Sequence, residues 1–218
     1  MKKIAFLFCI LLPIFAFSQL KEFPKNEKGD TEFTEIVECN QPVNIMYSNA
    51  KEWIALTFGD YKSVIQFEDE TNYKLILKGL TKVSNVFSQL NSLSSGDPAP
   101  RETINYTITM EFKEGKYRYR ISDIVNSTDE YFLGSWKTTK TTMPEQYNEI
   151  IKAQEESNQL KAKDKSLLKK KEIKDLEESI SNLDTKYSTL AVSYAYAYSY
   201  FPKLIQSLKE SIDKNNGF

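Results

Sequence analysis

The stretch Ile104-Asn-Tyr-Thr-Ile-Thr-Met-Glu-Phe-Lys-Glu-Gly-Lys-Tyr-Arg-Tyr-Arg-Ile121 decides the fold. Its apolar residues, Ile104, Tyr106, Ile108, Met110 and Phe112, alternate with Asn105, Thr107, Thr109, Glu111 and Lys113. Successive side chains of a strand point to opposite faces, so this run has one apolar face and one polar face. Glu114-Gly115 makes a turn. Tyr117, Tyr119 and Ile121 then alternate with Lys116, Arg118 and Arg120 in a return strand. Such a hairpin is marginal alone in water, and its apolar face needs a cover.

The cover lies upstream. Met46, Ala50, Trp53, Ile54 and Thr57 share one face of a helix, with Ser48, Lys51 and Glu52 mostly off it. Asn40-Gln-Pro42 supplies a helix start and Gly59 a left-handed close. Strands are expected at Thr31–Glu38, Lys62–Phe67 and Tyr73–Leu77, the last two joined by the polar turn 68–72. The sum is an α+β layer: an antiparallel sheet of about five strands packed by the helix at 42–58, with Trp53 deepest against the sheet.

The order of strand, Trp-bearing helix, two strands, long connection and hairpin resembles a family of exported domains of unknown function with a TBP-like (TATA-binding-protein-like) fold. The likeness is carried by Thr34-Glu-Ile-Val37, Met46-Tyr47, Glu52-Trp-Ile54, Leu77-Lys-Gly79, Ile104-Asn-Tyr-Thr-Ile108 and Gly115-Lys-Tyr-Arg-Tyr-Arg-Ile121. It covers roughly residues 33–124. These are packing and turn residues, so the resemblance implies a fold and brings no catalytic residues with it. The fold label does not imply DNA binding, because a slightly acidic exported chain is poorly suited to a polyanion.

The chain has 218 residues, a net charge of −1 and 40% hydrophobic residues, below the roughly 45–50% usual for globular domains. One core plus a solvated remainder fits this. Lys2-Lys3, the uncharged run from Ile4 to Phe17 and the small residues of Ala16-Phe-Ser18 read as a signal peptide, residues 1–18, cleaved near Ser18/Gln19. The run is too short to span a bilayer, which leaves no transmembrane segment after cleavage. Removal of 1–18 takes two lysines and no acid, so the mature chain carries −3. Residues 19–30 are a polar, poorly ordered lead-in, and 31–125 form the folded domain. Cys39 is the one cysteine left, so no internal disulfide forms. It is either a reactive or intermolecular thiol, or a small residue closing a strand.

Within 80–103 a mobile connection is expected, including a short amphipathic helix through Val83, Val86, Phe87, Leu90 and Leu93 and a break at Ser94–Pro100. Residues 126–142 lack a clean period and read as a loop with Trp136 tucked in. From 143 to 218 the composition is that of a helical tail. Tyr147, Ile150 and Ile151 dock its start on the sheet, and 152–166 is solvated. Ile173, Leu176, Ile180, Leu183, Tyr187, Leu190, Tyr194, Ala197 and Phe201 form a heptad seam over 173–201. The seam pairs with a second copy, or with the chain's own last helix, Pro202–Lys214. The run Tyr194-Ala-Tyr-Ala-Tyr-Ser-Tyr200 has a strand-like period of two, but the seam through it favours helix.

The chain has no histidine. This excludes Ser-His-Asp and Cys-His nucleophilic sites, His-ligated zinc and His general bases. Phosphate-cradling glycine motifs are absent from the sequence. Carboxylate-only chemistry leaves Glu52, Asp60, Glu68, Asp69 and Glu111 as candidate acids. Glu68-Asp-Glu70 lacks the spacing of an EF-hand loop and reads as a solvated turn. The basic run Lys161, Lys163, Lys165, Lys169–Lys171 and Lys174 is either a wet helix face or a contact for anionic lipid or cell-wall polymer. No catalytic, cofactor or metal residue is assigned. The expectation is a non-catalytic binding or assembly module of the cell envelope, periplasmic or secreted, that associates with itself through the coil or with an envelope protein and not with nucleic acid. The alternative is a carboxylate-dependent hydrolase acting on an envelope polymer.

Overall fold

The hairpin is the middle of a larger sheet. The computed structural model describes residues 20–84, 100–132 and 134–214. Their elements run β1 (Phe33–Glu38), α1 (Val43–Phe58), α2 (Tyr61–Val64), β2 (Ile65–Asp69), β3 (Lys74–Val83), β4 (Arg101–Lys113), β5 (Lys116–Phe132), β6 (Ser135–Thr142), α3 (Met143–Lys161), a 3-10 turn (Lys165–Leu167) and α4 (Lys170–Ile212). The sheet has six antiparallel strands in the order β1-β5-β4-β3-β2. Strand β5 is long enough to carry two partners on one edge: β1 along 116–121 and β6 along 125–132.

One face of this sheet is covered. Ile104, Tyr106, Ile108, Met110 and Phe112 of β4 are all at most 2% exposed, and Leu75, Leu77, Tyr117, Tyr119 and Ile121 lie beside them. Helix α1 lays Met46, Ala50 and Ile54 into this layer at 0% exposure. Trp53 is buried too, but its indole N–H donates to Ser207 Oγ of α4 at 3.0 Å, so it joins the two helices instead of lying deepest on the sheet. Thr57, expected on the apolar face, is exposed. Gly59 closes α1 at φ 75°, its N–H on Ala55 O, as expected of a glycine there. The helix start differs from expectation. Asn40 does not cap it; the Val43 N–H instead donates to the Glu114 carboxylate in the β4–β5 turn, at 3.4 Å.

The second cover is α4, which the sequence reading split at Pro202. The helix runs through that proline. Proline removes one backbone bond, yet Phe201 just before it and Leu204, Leu208 and Ile212 beyond it all bury against the core. Burial of such side chains contributes roughly 1.5–3 kcal/mol each, enough to outweigh the lost bond. Asn49 of α1 donates to Ile212 O (3.2 Å) and Lys214 O (3.0 Å), taking up carbonyls that a helix end leaves unpaired.

The tail is therefore a helical hairpin. Thr142 and Glu145 form a reciprocal capping box at the start of α3. Ser157 and Lys161 of α3 both reach Asp184 of α4, at 2.6 and 2.8 Å. The heptad seam is used inside the chain. The middle of α4 packs on α3, where Gln146 donates to Leu190 O and Ser193 Oγ, while Tyr194, Ala197 and Phe201 join the core over the sheet. Tyr194–Tyr200 is helix, not strand.

Other expectations need correction. Residues 126–142 are not a loop: they complete β5 and form β6. Trp136 is not tucked in; it is 43% exposed, edge-on to Tyr131 and beneath the Arg101 guanidinium at 4.6 Å. The lead-in is docked, with Phe23 only 4% exposed against Tyr194, Phe33 and Phe201. Strand β2 starts at Ile65 because Asp60 caps a turn of helix over 61–64. Of the expected connection, 80–83 and 101–103 are strand; the helix expected around Val86–Leu93, like the signal at 1–18, lies outside the described residues.

Candidate functional site

Among the described residues, the helices cover one face of the sheet and leave the other open. Strand alternation fixes what the open face carries. Opposite the buried set, β4 presents Thr103, Asn105, Thr107, Thr109 and Glu111, all half-buried. Register places Lys74, Lys78 and Lys82 of β3 on one side of this row, against Glu111, Thr107 and Thr103. Arg118 and Arg120 of β5 lie on the other side, against Glu111 and Thr109. Arg101 sits at the far end over Trp136. Large apolar side chains stand among these cations: Ile36 is 60% exposed, Leu80 51% and Phe67 47%. They stand on three different strands, β1, β3 and β2, but all on the open face.

At the β4–β5 turn the open face deepens into a cavity of about 370 Å³. Ile36, Asn72, Lys74, Glu111, Lys113 and Arg118 line it, with Lys116 and the backbone edge of the turn. Glu111 is its hub. The Arg118 guanidinium and Lys74 (3.2 Å) both pair with it. Arg118 holds the Glu111 carboxyl below the usual carboxylate range, and Lys74 adds to the effect. Lys113 and Lys116 face each other directly across the hairpin register. Like charges so placed repel. The nearest acid in sequence, Glu114, is turned away onto the Val43 N–H, and Glu38, opposite Lys116 on β1, does not line the cavity. A larger cavity of about 820 Å³ lies between the lead-in turn and the β5 bulge, but its charges are mixed: Lys25, Lys28 and Arg120 against Glu27, Asp30, Glu32 and Asp123.

The five candidate acids do not converge. Glu52 is exposed on α1. Asp60 caps α2. Asp69 caps the next turn, accepting from Thr71 and Asn72 N–H. Glu68 accepts from the hydroxyls of Tyr47 (3.2 Å) and Tyr61 (2.9 Å) and pairs with Lys51 at 2.6 Å. Burial alone raises its pKa; the Lys51 ammonium and the two hydroxyls more than offset this and leave it lowered. This cluster ties α1 to β2. Asp69 stands opposite Lys74 on the open face but is held by its own turn, and of the five only Glu111 lines the cavity. Cys39 is buried, and burial pushes its thiol pKa up, the opposite of activation. Among the described residues, no group of three His, Cys, Asp or Glu side chains is arranged to hold a metal ion. The basic run on the tail is partly spent, Lys161 on Asp184 and Lys165 on Glu177. Among the described residues, no helix is long and apolar enough to cross a membrane. Sequence reasoning named Glu111 but missed Lys113, Lys116 and Ile36; the one available signal was that the polar alternates on both sides of the turn, Lys113, Lys116, Arg118 and Arg120, are cations.

Comparison with known proteins agrees with the resemblance drawn from the sequence. Residues 33–126 match the family model described as "Domain of unknown function (DUF4468) with TBP-like fold". A crystal structure of a DUF4468 family protein from Bacteroides ovatus is 16% identical, with a TM-score of 0.47, over 90% of this chain and 93% of that one. A crystal structure of a TBP-like protein from Parabacteroides distasonis is 11% identical, with a TM-score of 0.46, over 85% of this chain and 96% of that one. No curated protein matches the chain. The α+β, TBP-like assignment rests on the family match and on the sheet itself.

Proposed function

We propose that this protein is an exported, non-catalytic binding module of the cell envelope and that its working surface is the open face of the sheet. The observation that carries the reading is the contrast between faces. The covered face is sealed by α1 and α4, while the open one sets exposed Ile36, Phe67 and Leu80 among Lys78, Lys82 and Arg120. Among the described residues, no carboxylate pairs with these three cations. Export is supported by the charged start, apolar run and small-residue site of residues 1–18. Catalysis finds no support in the dispersed acids. Self-association through the heptad seam finds none either, because α3 and the sheet already occupy that seam.

Two measurements test this. Mass spectrometry of the full-length chain expressed in a Gram-negative host should place the N-terminus of the extracytoplasmic protein at Gln19. The mature chain should co-sediment with isolated envelopes, and the variant Lys78→Glu/Lys82→Glu/Arg120→Glu should stay in the supernatant. Retention of residues 1–18 in the cytoplasm, or equal sedimentation of both forms, overturns the proposal.

A further inference from the structure

We infer that the cavity at the β4–β5 turn is a binding site for an acidic sugar, a carboxylated unit of a polysaccharide chain that continues along the open sheet face. The inference deepens the proposed function and rests on it.

Four features of the cavity converge on that ligand. The first is charge. Lys74, Lys113, Lys116 and Arg118 surround a single carboxylate, Glu111. Two of these cations are satisfied by Glu111, while Lys113 and Lys116 oppose each other across the hairpin with no carboxylate in ion-pair range among the described residues. An incoming anion relieves that repulsion.

The second feature is size. About 370 Å³ is near the lower end of the range for small-molecule sites, roughly 300–1,000 Å³, and suits a sugar-sized unit. The third is the mixture of groups. A site for a bare anion needs only donors. This one also offers the Ile36 side chain, on which the C–H face of a sugar ring can lie, and the Asn72 amide oxygen and Glu111 carboxylate, which can accept from ring hydroxyls. The fourth is continuity. The cavity opens onto the row Thr109, Thr107, Asn105 and Thr103, flanked by Lys78 and Lys82. Hydroxyls and an amide in line, with cations beside them, match a chain of alternating hydroxyl and carboxylate groups. Exposed Trp136 and Tyr131 at the far end supply flat apolar surfaces for a further ring.

The test titrates the mature chain with trigalacturonate, following amide shifts by NMR and affinity by calorimetry. The expected result is saturable binding that moves the amides of Gly115 and Ile36. The neutral methyl ester should bind at least tenfold more weakly. Lys113→Gln/Lys116→Gln should also lose at least tenfold, while Lys170→Gln/Lys171→Gln, on the exposed start of α4, should lose nothing. Equal binding of the ester, or equal competition by inorganic phosphate, overturns the inference. So does tighter binding of a DNA duplex or of anionic lipid vesicles at matched charge. If trigalacturonate or the envelope fraction engages only the Trp136 end, the cavity assignment fails while the binding role of the face survives. If outer-face substitutions leave envelope binding untouched, both fail.

Discussion

Strand β4 carries two different histories on its two faces. Its even-numbered residues from Ile104 to Phe112 are sealed from water, and its odd-numbered ones from Thr103 to Glu111 form the floor of an open surface. The backbone is shared, so the difference lies in what each face meets. The even face meets Met46, Ile54, Phe201 and their neighbours, and its cohesion comes from removing apolar area from water. Among the described residues the odd face meets no other element, and its side chains are hydroxyls, an amide and paired charges. One face specifies the fold; the other is free to be specified by a ligand. A substitution should therefore report which face it touches through the property it changes.

The largest effect is expected at the covered face. Phe201 is fully buried, edge-on to Tyr106 at 5.2 Å and close to Phe33 at 5.4 Å. Phe201→Ala should lower the unfolding free energy by about 3–5 kcal/mol, read from urea denaturation. Leu80→Ala on the open face should change it by no more than about 0.5 kcal/mol. Equal effects would erase the distinction between the faces.

Gly79 sharpens the comparison within a single strand. It lies on the covered face, where a Cβ would stand 2.2 Å from the Tyr106 ring. That ring cannot retreat easily, because its hydroxyl bonds Tyr200 at 2.6 Å and Phe201 packs beside it. Gly79→Ala should cost about 1–3 kcal/mol, although alanine suits a strand better than glycine elsewhere. A neutral or stabilising result would mean that the α4 contact is looser than described.

The smallest effect is electrostatic. Glu35 of β1 bonds Lys209 of α4 at 2.6 Å and accepts from the Tyr119 hydroxyl at 2.7 Å. The Lys209 bond, then the Tyr119 bond, hold its carboxyl below its ordinary value. A lowered carboxylate contributes stability that is present above its unfolded pKa, about 4.3, and is lost as pH falls through the lower folded value. The side chain is 45% exposed, so solvent screens the pair and the contribution is small. Glu35→Gln should lower Tm by about 1–3 °C at pH 6 and by progressively less as pH falls below about 4. A difference that does not shrink on acidification would assign the loss to packing.

The same contrast explains what the sequence disclosed. The covered face of the hairpin was legible because burial imposes a period of two, and Ile104 to Ile121 obey it. Strand β6 was not, because Lys137, Thr138, Thr139 and Lys140 are exposed on both faces and its pairing with β5 is made by backbone. The run of β-branched threonines was the one hint. Pro202 misled for a related reason: local chemistry predicts a break, and tertiary burial of Phe201 to Ile212 overrides it. Phe23 was invisible because a lone aromatic in a polar segment has no period. The cavity needed the register of four strands, β1, β5, β4 and β3, before Ile36, Lys74, Glu111 and Lys116 could be seen to meet.

The division of labour between the two faces is tested most directly by measuring both properties on one protein. The triple variant Lys78→Glu/Lys82→Glu/Arg120→Glu should unfold in urea at a free energy within about 1 kcal/mol of the parent, since all three charges stand in solvent or at its edge. From the same preparation, its co-sedimentation with envelopes should be lost. A variant that unfolds several kcal/mol earlier, or one that folds normally and still binds, would contradict the account.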